Sequence, residues 1–164
     1  MSDPTSSSLS MPIYSDRNSG ETFADAMEMV NAYLARFAER SGRDAAEAEE
    51  PTPALDETGY AQMKRGSATI GINVLEKQGV LMVFAPIMPI PTSGGEAFFR
   101  RLLELSFVTT SDAAFAINAH QNEIVVRSLR RLSALDYEEF EDIVATVGEV
   151  ADHWDDELIR EFGD

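Results

Sequence analysis

Apolar positions recur along this chain with two different periods, and each switch of period marks a change of element. From Thr22 to Arg40, Phe23, Met27, Val30, Leu34 and Phe37 are spaced alternately by four and three residues. That spacing predicts one face of a helix, stopped at Ser41-Gly42, where glycine is free to take a left-handed cap. From Ser67 to Glu76 the period becomes two: Ile70, Ile72 and Val74 alternate with Thr69, Gly71 and Asn73, as in a half-buried strand. After a turn at Lys77-Gln78-Gly79, the run Val80 to Ala85 (VLMVFA) is apolar at every position, which predicts a strand covered on both sides. Pro86, Pro89 and Pro91 then remove ladder donors, so pairing ends there or continues only along an edge.

The second half follows the same grammar. Residues 94–107, GGEAFFRRLLELSF, are preceded by Ser93 and carry Glu96, the spacing of a capping box before a helix of about three turns. Ala114–Asn118 and Glu123–Leu132 are two β-rich runs around the polar Ala119-His120-Gln121-Asn122, a hairpin. Asp136 and Glu139 repeat the capping spacing. Behind them Tyr137, Phe140, Val144, Val147, Ala151, Trp154 and Leu158 recur at three and four. A helix over 136–162 is ~40 Å long at 1.5 Å per residue, so its end is expected to overhang the sheet or meet another subunit. Its stripe is also compatible with a coiled coil, although packing across its own sheet is the expectation. With Tyr60–Arg65 as an extra strand, the order is α-β-β-(β)-α-β-β-α. Runs of strands without strict βαβ alternation predict an α+β fold, an antiparallel sheet with flanking helices. The Ser- and Pro-containing residues 1–19 read as a disordered tail, 20–164 as a single domain, and the acidic, Pro-containing 43–58 as a mobile loop within it.

Composition changes this picture in one respect. The 164 residues are 44% hydrophobic and 26% charged, ordinary for a globular domain. Cysteine is absent, which excludes disulfides and thiolate metal sites. The start lacks the basic and apolar segments of a secretory signal, and no window approaches the ~18 apolar residues of a membrane span. A cytoplasmic protein is expected, without a membrane partner. Charge is the informative number: 29 acids against 13 Lys and Arg give −16, which repels nucleic-acid phosphates at long range. The charge is uneven. Residues 136–164 hold twelve acids and one base, whereas 64–131 hold five acids and eight bases.

No catalytic chemistry emerges from these residues. Gly94-Gly95 before a helix could suggest an anion site, but Glu96 puts a negative charge there and no Lys follows. His120 falls in the hairpin turn. His153 has Asp156 and Glu157 at helical spacing, a pair that a dense acidic face explains without a metal. No serine stands in a G-x-S-x-G turn. No catalytic, metal or cofactor residue is assigned. Arg100, Arg101, Arg127, Arg130 and Arg131 either form a basic face for an acidic partner or pair with the acids of the last helix, and internal pairing or a solvated surface is the expectation.

Taken in order, Phe99-Arg100-Arg101-Leu102-Leu103-Glu104-Leu105-Ser106-Phe107, Ala114-Phe115-Ala116-Ile117-Asn118, Ile124-Val125-Val126-Arg127, Leu135-Asp136, Phe140 and Val150-Ala151-Asp152-His153-Trp154 resemble the YbjN-like family. That family lies within the type III secretion chaperone-like superfamily, with CesT-type chaperones as relatives. The likeness is good over 94–158 and rests on element order alone over 20–92. Ser106 departs from the usual Asn, and the hairpin carries His-Gln-Asn in place of an Asp-Gly turn. The resemblance implies a small acidic protein, often a dimer, that binds a protein or peptide segment in apolar grooves and catalyses nothing. A homodimer without a client groove is the alternative, and an enzyme with an unrecognised carboxylate site the remote one. Phe98, Phe99, Leu102, Leu103 and Leu105 form the candidate dimer or packing helix, because the apolar arc they make with Phe107 is broader than one sheet contact requires. Met27, Ile70, Ile72, Met82 and Met88 form the candidate peptide-contact surface, the methionines supplying adaptable apolar area; ordinary core filling is the competing role.

Overall fold

The computed structural model describes residues 13–41 and 51–164. Each helix start follows from local chemistry. The first helix, α1 (Ala26–Arg40), begins where Asp25 accepts the Glu28 N–H at 2.8 Å while the Glu28 carboxylate takes the Ala24 N–H at 2.6 Å. This reciprocal cap overrides the apolar period that pointed to a start at Thr22. Thr22–Phe23 is instead a short strand, β2, paired antiparallel with β1 (Tyr14–Ser15), and it delivers Phe23 to the core. At the other end the Ser41 hydroxyl and N–H both donate to the Phe37 carbonyl; Gly42 lies outside the described residues.

Five strands form one antiparallel sheet in the order β3-β4-β5-β7-β6. They are β3 (Tyr60–Arg65), β4 (Ala68–Leu75), β5 (Val80–Pro89), β6 (Ala114–Asn118) and β7 (Glu123–Arg131). Tyr60–Arg65 is thus a strand, and the 114–131 hairpin stands where the sequence placed it. β5 outlasts its prolines: pairing with β7 runs on to Pro89 across a bulge between Pro86 and Met88, whereas the ladder to β4 ends at Gly71–Phe84. The proline stretch is therefore a local edge, paired on one side only, as missing N–H donors require.

Two helices, α1 and α3 (Tyr137–Phe162), cover one face of the sheet. Ile70, Ile72, Val74, Leu81, Val83, Ala85, Ile124 and Val126 meet Met29, Val30, Leu34, Phe140, Ile143, Val144 and Val147 there in a single core. Asp136 caps α3 by accepting the Glu139 N–H at 2.8 Å. The stripe of α3 is buried against its own sheet, so the coiled-coil alternative does not hold. Nor does its end overhang. Leu158 is buried, and the Phe162 ring lies 5.1 Å from Phe98 of helix α2 (Gly95–Val108), which caps that end of the core. The capping box expected at Ser93 is absent. Gly94 is the cap residue, at φ 71° with no side-chain bond, a left-handed position that suits glycine.

The tail expected over 1–19 is corrected in its last part: residues 1–12 lie outside the described residues, but Tyr14 and Ser15 are paired and Asp16 is buried. Of the expected loop, 43–50 lies outside the described residues. Residues 51–58 are tied down, with Leu55 N–H on Asn31 Oδ1 at 2.8 Å and Thr58 and Tyr60 N–H on Asp56 Oδ1.

Candidate functional site

The apolar arc of α2 is divided between two environments. Phe98, Leu102 and Leu105, at i, i+4 and i+7, are buried against the end of α3 and the sheet. Phe99 is half-buried, and Leu103 (72% exposed), Phe107 (89%) and Val108 (71%) face out. Phe99, Leu103 and Phe107 fall on one i, i+4, i+8 row, bordered by Glu96, Arg100 and Glu104. The five residues singled out in sequence thus split into three core anchors and two members of an outer stripe. Phe107, already part of the apolar arc read in the sequence, and Val108 complete that stripe.

The candidate peptide-contact set comes apart. Ile70 and Ile72 are buried on the helix-covered side, because strand alternation turns them toward α1 and α3, and Met88 is buried there beside Ile124 because the bulge between Pro86 and Met88 reverses the phase of β5. They cannot touch a partner while the protein is folded. Met27 is half-buried, its sulfur close to Gly59. Only Met82 lies on the opposite side of the sheet, half-buried.

That opposite side carries the half-buried Tyr60, Met82 and Phe84 and the exposed Leu129. No helix among the described residues covers it, contrary to the two-sided cover predicted for Val80–Ala85. Cross-strand registry arranges it in rows: Gln62, Gly71, Phe84, Arg127 and Ala114 in one; Tyr60, Asn73, Met82 and Leu129 in the next; Leu75, Val80 and Arg131 in the third. Gly71 has a specific role. A Cβ there would stand 2.5 Å from atoms of the Phe84 ring, so only a glycine lets the ring lie down across β4. Tyr60 tilts beside it, centroids 6.3 Å apart. Tyr60, Phe84 and Leu129 were not singled out in sequence; for Phe84 the every-position apolar run VLMVFA was the available signal, since half of its side chains must face away from the core.

The arginines divide as well. Arg101 and Arg130 pair with Glu161 and Glu139 of α3, each at 3.7 Å, and Arg130 also with Asp112. These are the internal pairs expected with the last helix. Arg100 pairs with Glu104 on its own helix at 2.9 Å. Arg127 and Arg131 have no ion pair among the described residues. His153 is exposed and edges against Trp154, and His120 is exposed in its turn. No group of three His, Asp or Glu among the described residues is placed to hold a metal.

One carboxylate is built into the interior. Asp16, 2% exposed, accepts the Tyr33 hydroxyl and the Tyr137 N–H at Oδ2 and the Asn18 and Ser19 N–H at Oδ1, all at 2.9 Å. Burial pushes its pKa up, but the N–H of Ser19 and Tyr137, the Tyr33 hydroxyl and the Asn18 N–H together outweigh it and bring the value from 3.8 to about 2. The anion also sits at the first turn of α3, where the helix dipole favours it. The site is a clasp joining the first strand pair to α1 and α3.

Comparisons with known proteins follow this geometry. The family model described as Tir chaperone protein (CesT) family matches residues 34–155. Curated protein sequences gave no match. Among solved structures the chain is similar to one in the ExsC–ExsE complex, with TM-score 0.64, 23% identity, and coverage of 82% of this chain and 96% of that one. It is similar to one in the HopA1–SchA chaperone–effector complex (0.59, 10%, 78% and 94%). It is also similar to one in the heterodimeric ExoU–SpcU complex from the type III secretion system of Pseudomonas aeruginosa (0.53, 12%, 82% and 98%). At these identities the likeness concerns the fold: the α+β architecture, an antiparallel sheet flanked by helices, is that of type III secretion chaperones.

Proposed function

The chain belongs to the Tir chaperone protein (CesT) family, and from that premise we propose that it is a non-catalytic chaperone that holds an extended segment of a partner protein, working as a homodimer in the cytoplasm. The observation that carries this is surplus surface. The core is closed by α1, α3 and one side of α2, yet the outer row of α2 and the outer face of the sheet keep large apolar side chains in contact with solvent, and exposed apolar patches mark interaction sites. The α2 row Phe99–Leu103–Phe107 is assigned to the dimer seam, since a helix row of this kind is self-complementary about a two-fold axis. The edge at β3, unpaired among the described residues, and the outer sheet face are assigned to the client, where backbone pairing and side-chain pockets together hold an extended chain. The complexes formed by similar structures, one of them named as a chaperone–effector complex, support an effector of a secretion system as the client class. The YbjN-like placement of residues 94–158 belongs to this proposal as its finer part.

The test is affinity purification at native expression, followed by limited proteolysis of whatever co-purifies. A partner with one segment protected only in the complex is the expected result. Recovery of the protein alone would favour the second reading, a homodimer without a client groove, which the α2 row by itself supports.

A further inference from the structure

The outer face of the sheet has a sign opposite to that of the molecule. The chain carries −16 overall, but the side chains that strand alternation sends to this face include Lys64, Arg127 and Arg131 against a single acid, Glu123. The two arginines are held apart from the acids of α3, which lie across the sheet and pair with Arg101 and Arg130 there. Arg127 and Arg131 stand four residues apart on β7, about 13 Å in extended chain, and Leu129, paired with Met82, stands between them. Phe84, whose ring reaches over Gly71, pairs with Arg127 in the same row. The face therefore presents cation, apolar, cation along one strand, beside an aromatic ring.

We propose that this face selects a partner segment that is extended and carries acid-x-apolar-x-acid, its two carboxylates meeting Arg127 and Arg131 and its apolar side chain seated on Leu129, Met82 and Phe84. The period of two puts residues i, i+2 and i+4 of an extended chain on one side, and in the aligned mode of packing an extended chain runs within about 30° of the strands beneath it, so the spacing on the protein transfers to the spacing on the partner. Arginine's fork suits two-point binding of a carboxylate. The inference rests on the chaperone reading above and adds the chemistry of the client. It also runs against net charge: a −16 molecule repels an acidic peptide at a distance, and only a local cationic site reverses that preference.

The experiment measures fluorescence anisotropy of labelled peptides of about nine residues, a length of ~30 Å that matches β7, with the full-length protein. One peptide carries Glu-Thr-Phe-Thr-Glu at its centre and the other Lys-Thr-Phe-Thr-Lys. The acidic peptide is expected to bind at least about tenfold more tightly, with an affinity that falls as salt rises. The preference should vanish or invert in Arg127→Glu/Arg131→Glu and survive in Arg127→Lys/Arg131→Lys. Equal affinities, or tighter binding of the lysine peptide, overturn the proposal while leaving a peptide-binding chaperone standing. Binding of neither peptide also overturns it, and the co-purification test then decides the chaperone reading separately. If Leu103→Asp, and not the arginine reversal, abolishes acidic-peptide binding, the ligand sits on α2 and the proposal falls. Sedimentation guards against a second copy as the occupant: a dimer that dissociates in Arg127→Glu/Arg131→Glu makes this face the seam between copies and overturns the assignment.

Discussion

The helices α2 and α3 make an instructive pair, since both were candidates for assembly on the strength of their apolar stripes. α3 is nearly twice as long, 26 residues against 14, yet its stripe disappears into its own sheet and its far end into α2. α2 is short, but its apolar residues spread over more of its circumference than one contact can cover, and Leu103, Phe107 and Val108 remain outside. Width of the apolar arc, and not length of the helix, is what leaves surface over for a partner. Phe98 to Phe107 include adjacent apolar pairs at 98–99 and 102–103, and two neighbours on a helix cannot face the same side.

That contrast is sharpest at two adjacent leucines. Leu102→Asp places an unpaired charge in the core and should cost on the order of 5 kcal/mol or abolish folding, read as a collapsed or absent thermal transition. On α3, Phe140→Ala removes a ring packed on Tyr33 and Phe37 and should cost about 3–5 kcal/mol by denaturant titration; a loss below about 1 kcal/mol would mean that α3 is less firmly seated than its burial indicates. Asp16→Asn should cost about 2–3 kcal/mol, since four donors lose a charged acceptor.

The same clasp sets an acid response. The folded-state pKa of Asp16 is depressed, so its contribution is present above the unfolded value of 3.8 and is lost as pH falls through about 2. Stability of the parent should therefore fall between pH ~4 and ~2 by about 2 kcal/mol more than that of Asp16→Asn. Parallel curves for the two proteins would show that the carboxylate is not held as an anion. The two helix starts differ more modestly: Asp136→Ala should cost about 1 kcal/mol, while Ser93→Ala should change stability by less than about 0.5 kcal/mol. Smallest in stability is Leu103→Asp, expected within about 0.5 kcal/mol of the parent. It should nonetheless turn a dimer into a monomer on sedimentation, and an unchanged dimer would remove α2 from the seam.

Elements governed by neighbours in sequence were legible before the structure. The 114–131 hairpin, the cap at Asp136 and the strand at 60–65 are settled within a few residues. What alternation cannot convey is which side of a strand will be covered. It separates Ile70 and Ile72 from Gly71 and Asn73, but the side facing α1 and α3 is fixed by packing across the whole sheet, so Ile70, Ile72 and Met88 were placed on the surface when they belong inside. Gly71 read as one polar beat in a strand, because its purpose lies in a ring thirteen positions on. The start of α1 was misplaced because the apolar period continues through Phe23 into a strand that uses the same residue for the same core. Asp16 was read as part of a tail, since its acceptors' partners lie 17 and 121 residues away.

That last separation has a consequence for how the chain is made. Tyr137 is synthesised 121 residues after Asp16, so the first strand pair cannot be fastened until the sheet and the start of α3 already exist. During synthesis the Asp16 segment waits while the sheet forms behind it, and its closure is a late, long-range step. Asp16 and Tyr33 also precede the family-matched stretch, which begins at residue 34. The clasp is thus a fastening contributed from outside that stretch, and a chain trimmed to 34–155 would keep the five strands while exposing the seat that Asp16 occupies.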